Sequence, residues 1–268
     1  MEPLTLEELL HQEEDPDWDD PDLEDREEEE DDLIPPDPKR IAAGKLLMAL
    51  GSVFLAASVI IWGRNIYQDR RAAEASKNMM PDIMSAIAQN VEAAEKQGPQ
   101  DVEHVNPYDQ EAMDKAAEMT VVVHNTWPYI GYLDLPSIRM KLPVLSEWSF
   151  HYLSQAPCRH MGSTKSDDLV ICAHNYPAHF GKLKKMVQGD ELTFTDMDGI
   201  RSYYKVATVE IVEPTDLSMI EDESLDLVLY TCTYTGQDRV MVGCQRIEKE
   251  ESKLSQEDPV LKPWEVRK

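Results

Sequence analysis

Basic residues are scarce. The 268-residue chain has 26 Lys+Arg against 52 Asp+Glu, a formal net charge of −26. A phosphate backbone needs a basic footprint, so this balance argues against a nucleic-acid binder. Cysteine is scarce as well. Four cysteines in a chain of this length do not make a disulfide scaffold. Hydrophobic residues, at 42%, are slightly fewer than a globular protein carries. The deficits are uneven. Residues 1–40 hold 19 acidic and three basic residues (Arg26, Lys39, Arg40), a net of −16. That asymmetry predicts an acidic tail joined to more ordinary protein, with length for one domain and a tether.

The tail reads as disordered and solvated. The run Glu27–Asp32 repels itself, and Pro16, Pro21, Pro35, Pro36 and Pro38 break regular structure. Leu4–Leu10 has the pattern of one short amphipathic turn. Beside the spacer reading stands a docking tail for a basic partner, which nothing in the residues identifies.

Charge then disappears. Between Ile41 and Gly63 the only charged residue is Lys45, and Leu46–Gly63 has none. A spanning helix needs about 20 apolar residues, with a range of roughly 17–25. Lys45 is placed to snorkel, and Trp62 and Tyr67 to sit at an interface. A secretory signal has a shorter apolar run nearer the N-terminus. The expectation is an uncleaved single-pass anchor over 41–63; a buried core helix is the alternative. Lys39, Arg40 and Lys45 on one side balance Arg64, Arg70 and Arg71 on the other, so composition leaves the orientation open.

Residues 64–118 favour helix, with Ala-rich Arg71–Ala75 and Ile83–Lys96. Ile83, Ile87 and Val91 recur at four-residue spacing and form one stripe. Gly98-Pro99 and Asn106-Pro107 interrupt it. The segment reads as a helical stalk whose stripe packs on the following domain or on a partner.

From Met119 the pattern becomes that of strands: Thr120–Val123, Tyr129–Leu135, Asp168–His174, Glu191–Thr195, Tyr203–Val212, Leu225–Cys232 and Arg239–Ile247. Phe150–His160 reads as a short helix. Seven or eight short strands in about 130 residues predict a mostly β fold, a closed barrel or a sandwich. Beyond residue 250 the chain reads as a charged C-terminal tail.

Three residues stand at strand ends. Leu169–Ala173 delivers His174 and Asn175, Leu227–Tyr230 delivers Thr231 and Cys232, and Arg239 opens the next strand. The chemistry this set suits is acyl transfer. A thiolate attacks a carbonyl to give a thioester, a His moves the proton, and an Arg donates to the oxyanion or clamps the substrate backbone. On the residues alone, a buried Cys, an interstrand His and an exposed Arg remain the blander reading. A different cysteine hydrolase and a non-enzymatic membrane-tethered β-barrel binding module also stay open. Papain-like hydrolases place Cys before His in sequence, and here His174 comes first.

The chain resembles the sortases, membrane-anchored cysteine transpeptidases of Gram-positive bacteria. The resemblance rests on Ile130–Ile138, Lys141–Leu145, Asp168–Asn175, Phe180–Leu183, Leu229–Tyr234 and Arg239–Val242, in that order over about residues 120–250. It implies a closed eight-stranded β-barrel with short helices. It implies His174, Cys232 and Arg239 as catalytic residues, and Thr231 and Asn175 beside the substrate. The implied reaction cleaves an LPXTG-like sorting signal of a secreted surface protein after its Thr. The acyl group then passes to an amine of a cell-wall precursor or a pilin, and no metal or other cofactor takes part. An N-terminal anchor implies a cytoplasmic tail over 1–40 and an extracellular catalytic domain over 119–250.

The chain departs from the family pattern at Cys172, where a small or aliphatic residue is more usual. Cys158 and Cys244 are expected on the outer side; all three extra thiols read as inert, with a disulfide among them or capture of Cys232 as alternatives. The segment Pro214–Asp226 is short, which disfavours class B. No second apolar run follows Arg246 and no aspartate-led lid motif is seen, which disfavours a pilus-type enzyme. A class A- or D-like enzyme is the closer expectation. His160 and His179 are weaker candidates. The acidic residues Glu221, Asp222, Glu223 and Asp226 read as a solvated loop and not as a calcium site.

Overall fold

The apolar run and the Ala-rich stretch after it lie on one helix. The computed structural model describes residues 37–97, 115, 117–251, 253 and 254. The acidic run of the tail, Leu4–Leu10, Gly98-Pro99, Asn106-Pro107 and the C-terminal stretch from 255 lie outside the described residues.

Helix α1 spans Pro38–Gln97. Residues up to Val59 and residues from Ile60 onward fall into two separate units. In the first, Leu46, Leu47, Met48, Val53, Phe54, Leu55 and Val59 are all exposed. The helix is long and apolar enough to cross a membrane, and none of its most apolar window is buried by protein. A core helix would bury that window, so the buried-core alternative fails. Ser52 and Ser58 return their hydroxyls to the carbonyls of Met48 and Phe54, at 2.9 and 2.8 Å. Such back-bonding hides polar groups within the helix.

In the second unit the strands are β1 (Val122–His124), β2 (Trp127–Leu135), β3 (Met140–Leu145), β4 (Cys158–Met161), β5 (Leu169–Cys172), β6 (Glu191–Asp196), β7 (Arg201–Val212), β8 (Leu227–Cys232) and β9 (Arg239–Ile247). Their order is β1-β2-β3-β4-β5-β8-β9-β7-β6, with a further pairing of β2 to β6. That pairing closes β2–β9 into an eight-stranded barrel and leaves β1 as a short strand on the edge of β2. Closure removes the sheet edges. The β5–β8 pair is parallel, and so is the single β3–β4 bridge.

Alternation sorts the side chains. Leu169, Ile171, Leu227, Leu229, Val240 and Val242 point inward with Ile130, Leu133, Phe194 and Tyr204 to form the barrel core. Val170, Val228 and Met241 point outward, beneath Met219 and Leu225 of the 213–226 segment. That segment carries turns and no helix.

The C-terminal half of α1 packs on the outside of the barrel. Met79 and Ile83 join Tyr129, Tyr132, Leu145, Cys158 and Met197 in a second apolar cluster. The predicted stripe is this contact. Ile83 is fully buried, Ile87 packs at the cluster's edge, and Val91 lies where a Cβ on Gly199 would fall. Gly199 has φ +81°, so the tight 196–199 turn needs glycine for its backbone as well as for the helix above it. Asn90 Nδ2 donates to the Met197 carbonyl of the same turn at 2.9 Å. Truncation of Ile83 to Ala is expected to cost about 2–5 kcal/mol by leaving a cavity under the helix. Denaturant unfolding of the full chain followed by tryptophan fluorescence checks this.

Two strands escape the sequence pattern. β3 contains Pro143, which normally demotes a strand, yet Pro143 stands opposite Tyr132 in the ladder. β4 has four residues and overlaps the end of the stretch read as a helix, Phe150–His160. The helix there, α2 (Phe150–Leu153), is one turn long, and Pro157 follows before β4 begins. Ser149 caps α2 by accepting from the Tyr152 N–H at 3.1 Å.

Candidate active site

Three neighbouring strands bring the candidate residues together. β8 and β9 are antiparallel, with Cys232 and Arg239 as direct Cα partners. β5 and β8 are parallel, with Cys172 opposite Tyr230. Continuing that register by two residues sets His174 beside Cys232. The continuation is held by hydrogen bonds: Ala173 N to Tyr230 O at 3.2 Å, Thr231 Oγ1 to Ala173 O at 2.8 Å, and Asn175 Nδ2 to Thr233 O at 2.9 Å. Alternation places Val170, Cys172 and His174 on one face of β5, and Val228, Tyr230 and Cys232 on the same face of β8. That face is the barrel exterior. The nucleophile candidate is thus half-exposed on a rigid strand end.

Thr231 and Asn175 take supporting places. The Thr231 side chain points inward, is 2% exposed and ties β8 to β5. It does not share Cys232's face. Asn175 is half-buried and ties the stretch after β5 to the stretch after β8.

Arg239 is shaped by the 233–238 turn. Gly236 at φ +76° and the bond from Thr233 N to Asp238 O at 2.9 Å fold that turn tightly. The Arg239 Nη1 donates to the carbonyls of Gly236 and Asp238, at 3.3 and 3.1 Å. Nε and Nη2 have no protein acceptor among the described residues, which leaves donors of the planar fork for a ligand.

His174 has no hydrogen-bond partner for its ring among the described residues. It stacks at a tilt on Tyr176, with ring centroids 4.9 Å apart. Partial burial holds its pKa below the ordinary 6.5, since desolvation disfavours the imidazolium. The imidazole should therefore be mostly neutral at pH 7, with its protonated fraction growing only as pH falls below 6.5. Titration of its ring protons by NMR is expected to give a midpoint below that of an exposed histidine. A midpoint at or above the ordinary value would contradict this placement.

The stretch after His174 is compact. Phe180 N donates to His174 O at 3.1 Å, and Gly181 N and His179 N both donate to Tyr176 O at 2.9 Å. A Cβ on Gly181 would strike the carbonyl of Asn175 and the backbone of Tyr176, so only glycine lets the strand pass so close. His179 is fully buried. Its Nε2 lies 3.2 Å from Ser76 Oγ, and Ser76 donates its single hydroxyl proton to Gln155 O at 3.1 Å. Ser76 must therefore accept, which fixes the Nε2–H tautomer and leaves Nδ1 buried without a partner.

Burial depresses the His179 pKa to about 4. The unfolded chain takes up this proton at a higher pH than the folded one. The contribution is whole above the ordinary pKa and is lost as pH falls from 6.5 towards 4. Its size is about 3 kcal/mol at most. His179→Gln is expected to flatten the acid side of the stability profile, measured by thermal unfolding across that range.

Of the three other thiols, Cys172 neighbours the site on the same outer face, and all three are buried. All four cysteines are free. Cys158 and Cys172 are Cα partners on β4 and β5, both buried in the cluster under α1. Cys244 is not on the outer side, as the sequence suggested. It shares the face of Val240 and Val242 and sits fully buried in the barrel core, because β9 alternates without a break from Arg239. Burial pushes the Cys172 thiol up to about 11 and those of Cys158 and Cys244 higher still. His160 is also away from His174: its Nδ1 meets the Tyr230 hydroxyl at 3.1 Å.

Sequence reasoning did not single out Tyr176 or Ser76, and it set His179 aside. Phe180–Leu183 was legible as a motif, but its tight backbone approach was not.

Residues 133–247 match the sortase domain family. No curated protein matches. Among solved structures, sortase C1 of Streptococcus agalactiae is 24% identical, covering 68% of this chain and 96% of its own, at a TM-score of 0.42. Sortase C of Streptococcus pneumoniae is 21% identical, with coverages of 65% and 97% and a TM-score of 0.44. Sortase C of Clostridium perfringens with the C-terminal cell wall sorting motif is 19% identical, with coverages of 66% and 100% and a TM-score of 0.45. The expectation of a class A- or D-like enzyme finds no support among these class C structures, whose likeness is too slight to decide class.

Proposed function

We propose that this chain, which carries a sortase domain over residues 133–247, is a membrane-anchored cysteine transpeptidase acting on LPXTG-like sorting signals. The observation that carries the reading is the register: Cys232 faces Arg239 across one ladder, and the neighbouring strand ends at Cys172 opposite Tyr230, two residues before His174.

The reaction divides as follows. The Cys232 thiolate attacks the carbonyl carbon of the signal's Thr, and the C=O electrons move onto oxygen. Arg239 donates through the fork to that oxyanion. His174 takes the Cys232 thiol proton as the thiolate forms, and the imidazolium so made protonates the leaving amine as the C–N bond breaks, which leaves a thioester on Cys232 and a neutral imidazole. An acceptor amine then attacks the thioester, and His174 takes its proton as the thiolate departs. The acceptor class is an amine of a cell-wall precursor or a pilin. Thr231 and Asn175 fix the strand ends beneath the substrate.

The same reading puts the segment 41–63 across the membrane, with residues 1–40 cytoplasmic and the catalytic domain outside. The balanced flanking charges make this an inference from the reaction's location. Protease added to intact, wall-stripped cells should degrade the barrel and spare the tail; the opposite pattern would overturn the orientation. For activity, the full chain in detergent is supplied with a fluorescent LPXTG-type peptide library and an amine. Amine-dependent product that is lost in Cys232→Ala supports the enzyme. No cleavage and no adduct on Cys232 across a broad library would sink it in favour of a binding module.

A further inference from the structure

A general base in a nucleophile–base pair is commonly aimed by a third group that hydrogen-bonds its far nitrogen. His174 has no such group among the described residues. Its ring rests on Tyr176, and Tyr176 in turn lies 5.8 Å from the His179 ring, centroid to centroid. Both contacts belong to the short 174–181 stretch, which has two ties to α1. Asp69 Oδ1 accepts from the Ala178 N–H at 2.9 Å. Ser76 Oγ accepts from His179 Nε2–H at 3.2 Å while donating to Gln155 O. Asp69 and Ser76 are seven residues apart, two helical turns on one face of α1. Ala72 lies on that face between them and is fully buried.

We propose that Asp69 and Ser76 of α1 are positioning residues for His174, aiming its imidazole through the ladder His179–Tyr176–His174. The proposal rests on the transpeptidase reading and adds that this part of α1 belongs to the catalytic apparatus and is more than a spacer. Several features favour it over plain packing. The ties are polar and directional, and they end on Ala178 and on His179 itself, within the Tyr176–His179 contact. Ser76 and His179 are a matched pair: a methyl group at 76 would leave His179 with both ring nitrogens buried and unpartnered, which a fold tolerates poorly. Gly181 admits no slack in the same stretch. The titratable groups that act electrostatically on His179 are His174 from its own stretch and Asp69 from α1.

The full chain in detergent is compared with Asp69→Ala, Asp69→Asn, Ser76→Ala and Ser76→Thr. Asn and Thr keep an acceptor oxygen; Ala does not. Asp69 is half-buried on the helix surface, so its truncation leaves the barrel core untouched even if Ser76→Ala folds poorly. Two readouts are taken. The first is steady-state transpeptidation: both Ala variants should lose about tenfold in kcat with peptide KM within about twofold, and Asn and Thr should recover most of it. The second needs no substrate. The rate at which diethyl pyrocarbonate modifies His174, followed by mass spectrometry against pH, should rise in the Ala variants. Its midpoint should move up towards that of an ordinary histidine as the ring gains solvent. Unchanged kcat and an unchanged modification profile in folded Asp69→Ala would overturn the proposal. A shifted profile in a protein with no transpeptidation at all would keep the positioning role and defeat the transpeptidase reading instead.

Discussion

Cys232→Ala is expected to abolish both cleavage and transfer, lowering turnover by about 10⁴-fold or more, because no other group can form the thioester. The remaining thiols offer no substitute. Cys158 and Cys172 are sealed under α1 and Cys244 is inside the barrel, and burial keeps all three protonated. The fold should survive. Cys232 is half-exposed at a strand end and contributes nothing to the core clusters. An unchanged melting temperature alongside lost turnover separates chemistry from stability. Retained turnover would move the nucleophile elsewhere.

Arg239→Lys is the second large effect, a loss of about 10²–10³-fold in kcat. Losing an oxyanion donor costs on that order. Lysine keeps the charge, so the loss measures geometry. Nη1 is anchored on the Gly236 and Asp238 carbonyls, and that anchor leaves Nε and Nη2 without a protein acceptor among the described residues. An ammonium has no plane to fix and cannot hold the turn and the substrate at once. Steady-state kinetics with a fluorogenic LPXTG peptide checks this, and the loss should fall on kcat more than on KM. Near-normal turnover in the lysine variant would remove Arg239 from the site.

Much of this was legible in the sequence because strand periodicity is local. The run Arg239–Ile247 is a strand-length stretch with an apolar Val240–Cys244 centre and forms β9 over the same bounds. The strands ending at Cys172 and Cys232 announce themselves by unbroken aliphatic runs. Those runs are buried on both faces, by the barrel core within and by α1 or the 213–226 segment outside. β4 was not legible. Its four residues pair with β5 through a shifted register between Arg159 and Met161, and such an edge exists only once its neighbours are in place. The inward placement of Cys244 follows from counting by twos from Arg239, given that β9 runs straight. The role of α1 was half legible. The Ile83–Ile87–Val91 stripe foretold a partner surface, but which surface depends on Gly199 and Met197, more than 100 residues away. Asp69 and Ser76 gave no signal at all, since a single Asp and a single Ser on a polar-looking helix carry no period.

The central claim is that Cys232 is acylated by a peptide carbonyl. The direct measurement is intact-mass spectrometry of the full chain in detergent, mixed with LPXTG-type peptides in the absence of amine, quenched in acid and digested. A covalent adduct on the Cys232 peptide is predicted, with the mass of the signal up to its Thr. It should be released by hydroxylamine as a thioester is, and be missing from His174→Ala at the same time point. An adduct on another residue, or none with any peptide of a broad library, would contradict it.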